Sequence, residues 1–520
     1  MAQNFFKLAI LVVALDIFVA QDTDWKSAVF PVAKTNGSGE NVNLNYQYLQ
    51  KYAVPGSPVL LHLALGAIDS VVKNQAFLSD LAQHFNATVI VIRHRDYQDI
   101  QYFLPSQAFQ DFNVLYAELT ENKQNPAHFN ASQPVVLSGF GYSGLLALWW
   151  YKEHNYDGRF KSALISDAPV NLFKGFGLSL GDLDHHLKEI YEKADCDMDL
   201  LNTAVNALKA ENLTVFKDMG HILGLQGVDV VKADEMTGEI VKLEYFIHDA
   251  FVKLAADEQD FAEQRGDQNF AAKPVESYCD SLNTTADTDL ASKLAPIKLL
   301  LKVLGKDRYG FEYLDDDHLI DLFCNQLPPY SCPQGPPNDF FAKKCGNEEE
   351  WKSYWEDVCS RYKKTNVVDP DYVAKHYKYN YDDLKNTVFV YGNDDVWSVA
   401  RPKTNAPVYT VPQLGRARIF DQPNTCDSNA LKQFRFQLIN ALECHLDLQD
   451  DEDICGKLKG NLPEYKQSDA EKCEPELLAY PWGQVLDADG GKGNETDKHA
   501  AGIFVSIFVI VACIFMIFSE

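Results

Sequence analysis

Short apolar runs alternate with helix-length segments from about Ser57 to Val170. The apolar runs read PVLLHLAL, ATVIVIRHR, PVVLSG and SALISDAP, and the segments between them read FLSDLAQHF, SQAFQDFNVLYAEL and LLALWWYKEH. Strands that alternate with helices favour right-handed βαβ connections and a parallel sheet. The uninterrupted apolar run Val89–Ile92 is typical of a strand that is covered on both faces. The pattern therefore predicts an α/β fold, with a mainly parallel sheet and helices on both faces.

This alternation is interrupted between roughly Val170 and Lys375, where helical periodicity dominates. Six cysteines lie in this stretch, the first at Cys196 and the last at Cys359. The strand NTVFVYGNDD then resumes the sheet, and a short strand APVYTV and a helix SNALKQFRFQLINAL follow it. We therefore predict a sheet domain in two parts around an inserted, disulfide-bonded helical cap. The two parts are residues 21–170 and 376–485, and the cap is residues 171–375.

Both ends of the chain carry apolar segments that are typical of sorting signals. Residues 1–20 combine an early lysine, an apolar run and a small residue at Ala20, which is the order of a secretory signal peptide. Residues 486–520 combine a small site, a polar spacer and the apolar run Ala500–Phe518, which is the order of a glycolipid (GPI) anchor signal. The predicted anchor site consists of three small residues, Asp489, Gly490 and Gly491. We expect display on the outer cell surface; the alternatives are a single-pass membrane protein and a lysosomal or secreted protein.

The cysteines and the glycosylation motifs agree with passage through the secretory pathway. Ten of the eleven cysteines lie outside the C-terminal apolar run, which allows up to five disulfides of undetermined pairing. Six N-x-S/T motifs predict glycosylation at Asn36, Asn86, Asn130, Asn212, Asn283 and Asn494. No cysteine–histidine cluster has zinc spacing, so we expect no metal, and we expect no other cofactor. The formal charge of −27 argues against nucleic acid as a partner.

The glycine-rich corner PVVLSGFGYSG (Pro134–Gly144) allows three chemical interpretations. Its glycines fit the G-x-G-x-x-G pattern of dinucleotide-binding proteins at Gly139, Gly141 and Gly144. The ribose-binding acid of that pattern should follow after about 20 residues, whereas Asp167 lies further along. Serine hydrolases place a nucleophile in the middle of G-x-S-x-G on such a turn, but the middle residue here is Gly141. A shifted frame makes Ser143 an alternative nucleophile.

Four further segments match the motifs of one family. SDAPV (Ser166–Val170) is similar to S-S-A-P-V, RHRDY (Arg93–Tyr97) to E-H-R-Y-Y, and YGNDDVWS (Tyr391–Ser398) to N-G-x-x-D-P-W-S. The fourth segment matches Q-A-L-A-D at Gln107, Ala108 and Asp111, and the glycine corner is similar to G-G-S-Y-G-G. Together they resemble the lysosomal Pro-Xaa carboxypeptidase and dipeptidyl peptidase II family of serine exopeptidases, from about Ser57 to Leu442. This resemblance implies an α/β-hydrolase fold with a helical, disulfide-bonded cap, and it allows a homodimer.

The resemblance places the family's catalytic triad on residues that differ from it at two of three positions. The aspartate falls on Asp395, the serine on Gly141 and the histidine on Asn424. No histidine occurs between Asp395 and His445, so a shifted register around Asn424 does not supply one. The acidic residue that anchors a substrate amine in the aminopeptidase-like members falls on Gly66 and is therefore absent.

These replacements remove the two groups that carry the proton in acyl transfer. Glycine offers no nucleophile, and asparagine has no proton equilibrium near neutral pH. We therefore expect a catalytically inactive relative that retains the scaffold as a peptide- or protein-binding surface, tethered to the membrane. The alternative is an active carboxypeptidase or dipeptidyl peptidase that uses Ser143 as a non-standard nucleophile.

Overall fold

The main sheet of the protein contains eight strands. The computed structural model describes residues 24–34, 40–64, 76–95, 104–154, 157–256, 274–282, 289–304, 318–363, 369–393, 395–412, 418–425, 427–448, 478–482 and 484–485. Within these residues the strands are β1 (Lys26–Ala33), β2 (Asn41–Leu49), β3 (Val59–Ala64), β4 (Thr88–Arg93), β5 (Val135–Phe140), β6 (Ser162–Ser166), β7 (Thr387–Gly392) and β8 (Val408–Val411).

The strand order in this sheet is β1-β2-β4-β3-β5-β6-β7-β8. Strand β2 pairs antiparallel with both of its neighbours, and the pairs from β4 to β8 are parallel. This order with an antiparallel second strand is that of the α/β-hydrolase fold. The predicted fold class is confirmed.

Helices cover both faces of the sheet, as the apolar strands predict. Helices α1 (Ala76–Phe85) and α13 (Asn429–His445) pack on one face, and α2 (Pro105–Glu121) and α3 (Gly141–His154) pack on the other. Every residue of β3, β6 and β7 is buried, because a central parallel strand has no face in contact with water.

The chain between β6 and β7 is helical. Its helices are α4 (Asp182–Lys193), α5 (Met198–Asn206), α6 (Leu213–Leu223), α7 (Met236–Ala256), α8 (Pro274–Asp280), α9 (Leu290–Val303), α10 (His318–Asn325), α11 (Glu348–Lys363) and α12 (Tyr372–His376). Three disulfides join Cys196 to Cys279, Cys324 to Cys359, and Cys332 to Cys345. The prediction of disulfides in this stretch is confirmed.

Strands β1 and β2 are the part of the main sheet that the sequence pattern did not reveal. In β1 only Val32 is buried, because β1 is the edge strand and most of its side chains contact water. The pattern also missed a small sheet in which β9 (Leu478–Ala479) pairs antiparallel with β10 (Gln484–Val485).

Among the described residues, no helix has both the length and the apolar composition needed to cross a bilayer. The predicted signal peptide at residues 1–20 and the anchor site at residues 489–491 lie outside the described residues, as does the apolar run at residues 500–518. The predicted domain boundaries stay predictions.

Candidate active site

The turn between β5 and α3 has the backbone of a nucleophile elbow. Helix α3 begins at Gly141, whose φ of 53° lies in the left-handed region. A hydrolase nucleophile occupies this strained position, where the backbone projects a side chain above the edge of the sheet. In this chain the residue in that position is a glycine, so the elbow presents no oxygen.

The other two glycines of the corner allow the helix and strand to approach each other. A Cβ atom on Gly139 would lie 2.5 Å from the carbonyl oxygen of Ser143, a distance that real Cβ atoms do not adopt. A Cβ atom on Gly144 would lie 3.1 Å from the Cβ of Ala168. The spacing that resembles a dinucleotide motif is therefore explained by packing and by the turn.

Asp395 lies at the same edge of the sheet as Gly141, because each follows the carboxyl end of a parallel strand, β7 or β5. Its side chain is fully buried. One carboxylate oxygen accepts a hydrogen bond from the backbone N–H of Trp397 at 3.2 Å and so caps the 3₁₀ helix Val396–Ala400. The triad acid of the resemblance is thus present and held by the backbone.

Asp167 is a second buried carboxylate at this edge, and its place beside Asp395 was not predicted from the sequence. It follows β6 directly with a φ of 47°, and its Oδ1 accepts a hydrogen bond from the N–H of Gly392 at 3.1 Å. Burial, followed by the charges of Asp167 and Asp395, raises the pKa of Tyr391.

Asn424 points into its own loop. Its Nδ2 donates to Oδ1 of Asp427 at 3.0 Å, and its backbone N–H donates to Oδ2 of the same residue at 2.8 Å. Asp427 also forms a buried ion pair with Arg435, at 2.6 Å. The residue at the expected histidine position therefore organises a loop and cannot shuttle a proton.

His445 does not replace the missing base. Its Nδ1 lies 2.9 Å from Oγ of Ser162, which is the first residue of β6. Gly141 and Asp395 follow the last residues of β5 and β7, so His445 lies at the opposite edge of the parallel sheet. Burial lowers its pKa to about 4, which keeps the imidazole neutral.

Ser143, the alternative nucleophile, lies in the first turn of α3 and is 2% exposed. Among the described residues, no imidazole hydrogen-bonds its hydroxyl. A serine hydroxyl without a base is a poor nucleophile, so the geometry offers this residue no activation.

Comparisons with known proteins show the family of the chain. Residues 38–414 match the serine carboxypeptidase S28 family (Peptidase_S28). The chain belongs to the serine carboxypeptidase S28 family. A Caenorhabditis elegans protein described as a serine protease, pcp-1, is 24% identical over 507 residues, which cover 87% of each chain. Prolyl carboxy peptidase like protein 5 of the same organism is 22% identical over 358 residues, which cover 62% of this chain and 67% of that protein.

Solved structures are more distant from this S28 member. An esterase of Pyrobaculum calidifontis is 9% identical with a TM-score of 0.33, over 86% of this chain and 91% of the esterase. The carboxylesterase EstE1, cloned from a metagenomic library, is 15% identical with a TM-score of 0.23, over 35% of this chain and 56% of that protein.

Two of the S28-like motifs meet as one buried ion pair. The guanidinium group of Arg95, from RHRDY, binds both carboxylate oxygens of Asp111 at 2.7 and 2.6 Å. Gln107 donates a further hydrogen bond to Asp111 at 3.2 Å. Burial raises the pKa of Asp111, and the contacts with Arg95 act in the opposite direction. These family residues hold β4 to α2 and are not part of the elbow.

A cap histidine contacts the loop that carries Asp395. Nε2 of His186, on α4, lies 3.2 Å from Oγ of Ser398. The neighbouring His185 points elsewhere, since its Nδ1 lies 2.9 Å from the carbonyl oxygen of Asn338. The two imidazoles diverge, and no cluster among the described residues could hold a metal ion. Sequence reasoning missed the contact of His186 because it depends on how the cap docks on the sheet.

Three of the predicted glycosylation sites are described, and all three asparagines are exposed: Asn86, Asn130 and Asn212. Glycosylation itself stays a prediction. The other three, Asn36, Asn283 and Asn494, lie outside the described residues, as do Gly66 and the anchor residues.

Proposed function

We propose that this protein is a catalytically inactive member of the S28 family that binds a peptide or protein ligand in the cleft between sheet and cap. The observation that carries the proposal is Gly141, which keeps the left-handed backbone of the elbow without a side chain. Loss of the serine or the histidine from a triad lowers turnover by about a millionfold. In this chain both positions are changed.

The contacts around Asp395 support this proposal. The cap contacts the Asp395 loop through His186 and Ser398, so the cap and the sheet meet beside the triad acid. Trp397, beside Asp395, packs against the hydrophobic core of the cap but is only partly buried, and the exposed part of its ring would offer an aromatic surface to a ligand. The buried carboxylates Asp167 and Asp395 favour a ligand with a positive group, such as a peptide amino terminus.

A fluorophosphonate probe tests the loss of catalysis. We expect no labelling of the purified protein and no turnover of proline-containing dipeptides and tripeptides at acidic or neutral pH. The control is Ser143→Ala, which should behave as the wild type. Stoichiometric labelling that disappears in Ser143→Ala would show instead an active exopeptidase with a non-standard nucleophile.

Peptide binding is tested by calorimetry with proline-containing peptides. We expect binding that Trp397→Ala weakens roughly five- to thirtyfold, because an aromatic anchor contributes about 1–2 kcal/mol. The exposed Val114→Ala on α2 is the matched control and should bind as the wild type does. If Trp397→Ala and the wild type bind equally, the ligand does not use this cleft.

The proposal includes display outside the cell on a C-terminal glycolipid anchor. It is supported by the order of small site, spacer and apolar run, by the three disulfides and by the exposed asparagines Asn86, Asn130 and Asn212. Phosphatidylinositol-specific phospholipase C should release the protein from intact cells. Retention after this treatment, with release by detergent, would indicate a membrane-spanning helix.

A further inference from the structure

The last described segment of the chain folds back onto the body of the protein. This C-terminal strap consists of residues 478–482 and 484–485. The indole N–H of Trp482 donates to Oδ2 of Asp80, on α1, at 2.8 Å. The Tyr480 hydroxyl hydrogen-bonds Nδ1 of His84, whose Nε2 lies 2.8 Å from Oε1 of Glu443 on α13.

Aromatic packing adds to these hydrogen bonds. The Trp482 ring lies 5.7 Å from the ring of Phe77 on α1 and 4.9 Å from that of Phe436 on α13, measured between centroids. The backbone N–H of Leu478 also donates to the carbonyl oxygen of Pro423 at 2.8 Å. The strap therefore bridges α1 and α13, and we call the surface formed by these two helices the α1/α13 face.

The α1/α13 face carries few charged side chains. Its helices contain two carboxylates, Asp80 and Glu443, and two basic side chains, Lys432 and Arg435, of which Arg435 is buried and paired with Asp427. Both carboxylates are engaged, by Trp482 and by His84. Phe436 on this face is 50% exposed although its ring contacts the strap.

The strap is also close in sequence to the proposed anchor. Val485 precedes Asp489 by four residues, which span about 14 Å at most, because an extended chain covers about 3.3–3.6 Å per residue. A compact body of roughly 400 residues has a radius of gyration of about 21 Å. The link is therefore too short to reach around the body, and the surface that holds the strap must lie near the anchor.

From these observations we infer that the α1/α13 face is the lipid-facing surface of the protein, held against the membrane by the C-terminal strap. The inference rests on the proposed membrane anchor. The opposite face of the sheet, formed by α2 and α3, then points away from the bilayer. Gly141 and Asp395 lie at the carboxyl ends of parallel strands, between the two helix-covered faces of the sheet. A cleft at this position would therefore open parallel to the membrane.

Energy transfer to a lipid-soluble acceptor tests this orientation on the full-length protein in cell membranes. Two labelled proteins are compared. The first carries a fluorescent donor at Gln437 on α13, and the second carries the same donor at Val114, which is exposed on α2. A sheet with a helix layer on each face is about 30 Å thick, so the Gln437 donor should show at least twofold higher transfer. The double variant Tyr480→Ala/Trp482→Ala should remove the difference, whereas the exposed-site variant Leu448→Ala should preserve it.

Each outcome separates this inference from the anchor on which it rests. Recovery of the full-length protein in the soluble fraction overturns both. Membrane-bound protein with equal transfer from the two donors overturns the orientation alone. A difference that persists in the Tyr480→Ala/Trp482→Ala variant shows that the strap does not hold the face.

Discussion

Gly139 illustrates how tightly single residues are constrained at the elbow. Substitution by alanine would bring a Cβ atom to 2.5 Å from a backbone carbonyl oxygen that cannot move without shifting α3. We expect Gly139→Ala to lower the free energy of unfolding by about 1–3 kcal/mol or more. Gly346→Ala is the control, because the nearest atom there is the flexible end of Lys343. Urea unfolding measures both, and equal effects would contradict the packing explanation.

Asp395 now serves as a helix cap, and its variants can show whether it does more. Asp395→Ala removes the acceptor for the Trp397 N–H and should cost about 0.5–2 kcal/mol of stability. Asp395→Asn keeps a capping oxygen and should cost less. Neither variant should hydrolyse prolyl peptides, because we expect no turnover by the wild type either. Turnover in the wild type that Asp395→Asn abolishes would assign this carboxylate a catalytic role.

The residues of the candidate site differ in how far sequence reasoning could locate them. Gly141 and Asp395 were assigned from the family resemblance, and the parallel strands that precede them end at one side of the sheet, where both residues lie. Asp167 follows such a strand too, but its partner, the N–H of Gly392, lies more than two hundred residues away. His186 depends on cap docking. Contacts of this kind have no local signal in one sequence.

At the scale of elements, the apolar strands and their helices were predicted, whereas β1, β2 and the strap were not. β1 lies at the sheet edge and buries few side chains, so it lacks the apolar signal of β3 or β5. The strap is held by a few aromatic rings and hydrogen bonds. Neither element buries enough periodic apolar surface to be recognised from its residues.

Asp80, which contacts the strap, should make the stability of the protein depend on pH. Burial raises the pKa of this carboxyl to about 6, although the Trp482 hydrogen bond and Arg435 act in the opposite direction. A raised pKa means that the folded protein binds the proton more tightly than the unfolded chain does. The contribution of this group to the free energy of unfolding is therefore complete below pH 4 and is lost as pH rises through 6, by at most about 3 kcal/mol.

Urea unfolding of the wild type and of Asp80→Asn between pH 5 and 7.5 measures this effect. The free energy of unfolding of the wild type should fall relative to that of Asp80→Asn as pH rises. His84 and Glu443 also face the strap, so the comparison with Asp80→Asn isolates the carboxyl group. The exposed Asp382→Asn is the control. A pH dependence unchanged by Asp80→Asn would contradict the assignment.

At the scale of the whole molecule, three buried histidines should make the folded protein more stable at neutral than at acidic pH. Burial lowers the pKa of His62 and His94 to about 3 and that of His445 to about 4. The unfolded chain binds protons at these groups below about pH 6.5, and the folded protein does not. Each of these histidines should therefore lower the free energy of unfolding by about 2 kcal/mol at pH 5 relative to pH 7.

Urea midpoints at pH 7 and pH 5 check this expectation. The wild type should be clearly less stable at pH 5, and His445→Gln should lose less stability between the two values. His248 acts in the opposite sense. Burial lowers its pKa, but the contact with Asp184 and the charges of Asp249 and Asp339 together raise that pKa above its ordinary value. A protein that is equally stable at both pH values would show that these opposing groups cancel, contrary to the prediction.

The position of the helical chain between β6 and β7 has a consequence for synthesis. Ala163 in β6 pairs with Thr387 in β7. More than two hundred residues must therefore be translated after β6 before its partner strand β7 exists. At about 5–20 residues per second, that delay is roughly 10–45 s. Throughout it, a strand that is entirely buried in the folded protein presents an open edge to other nascent chains. Truncated products that end before Thr387 should therefore aggregate, and we expect chaperones to raise the yield of the newly made protein until β7 emerges.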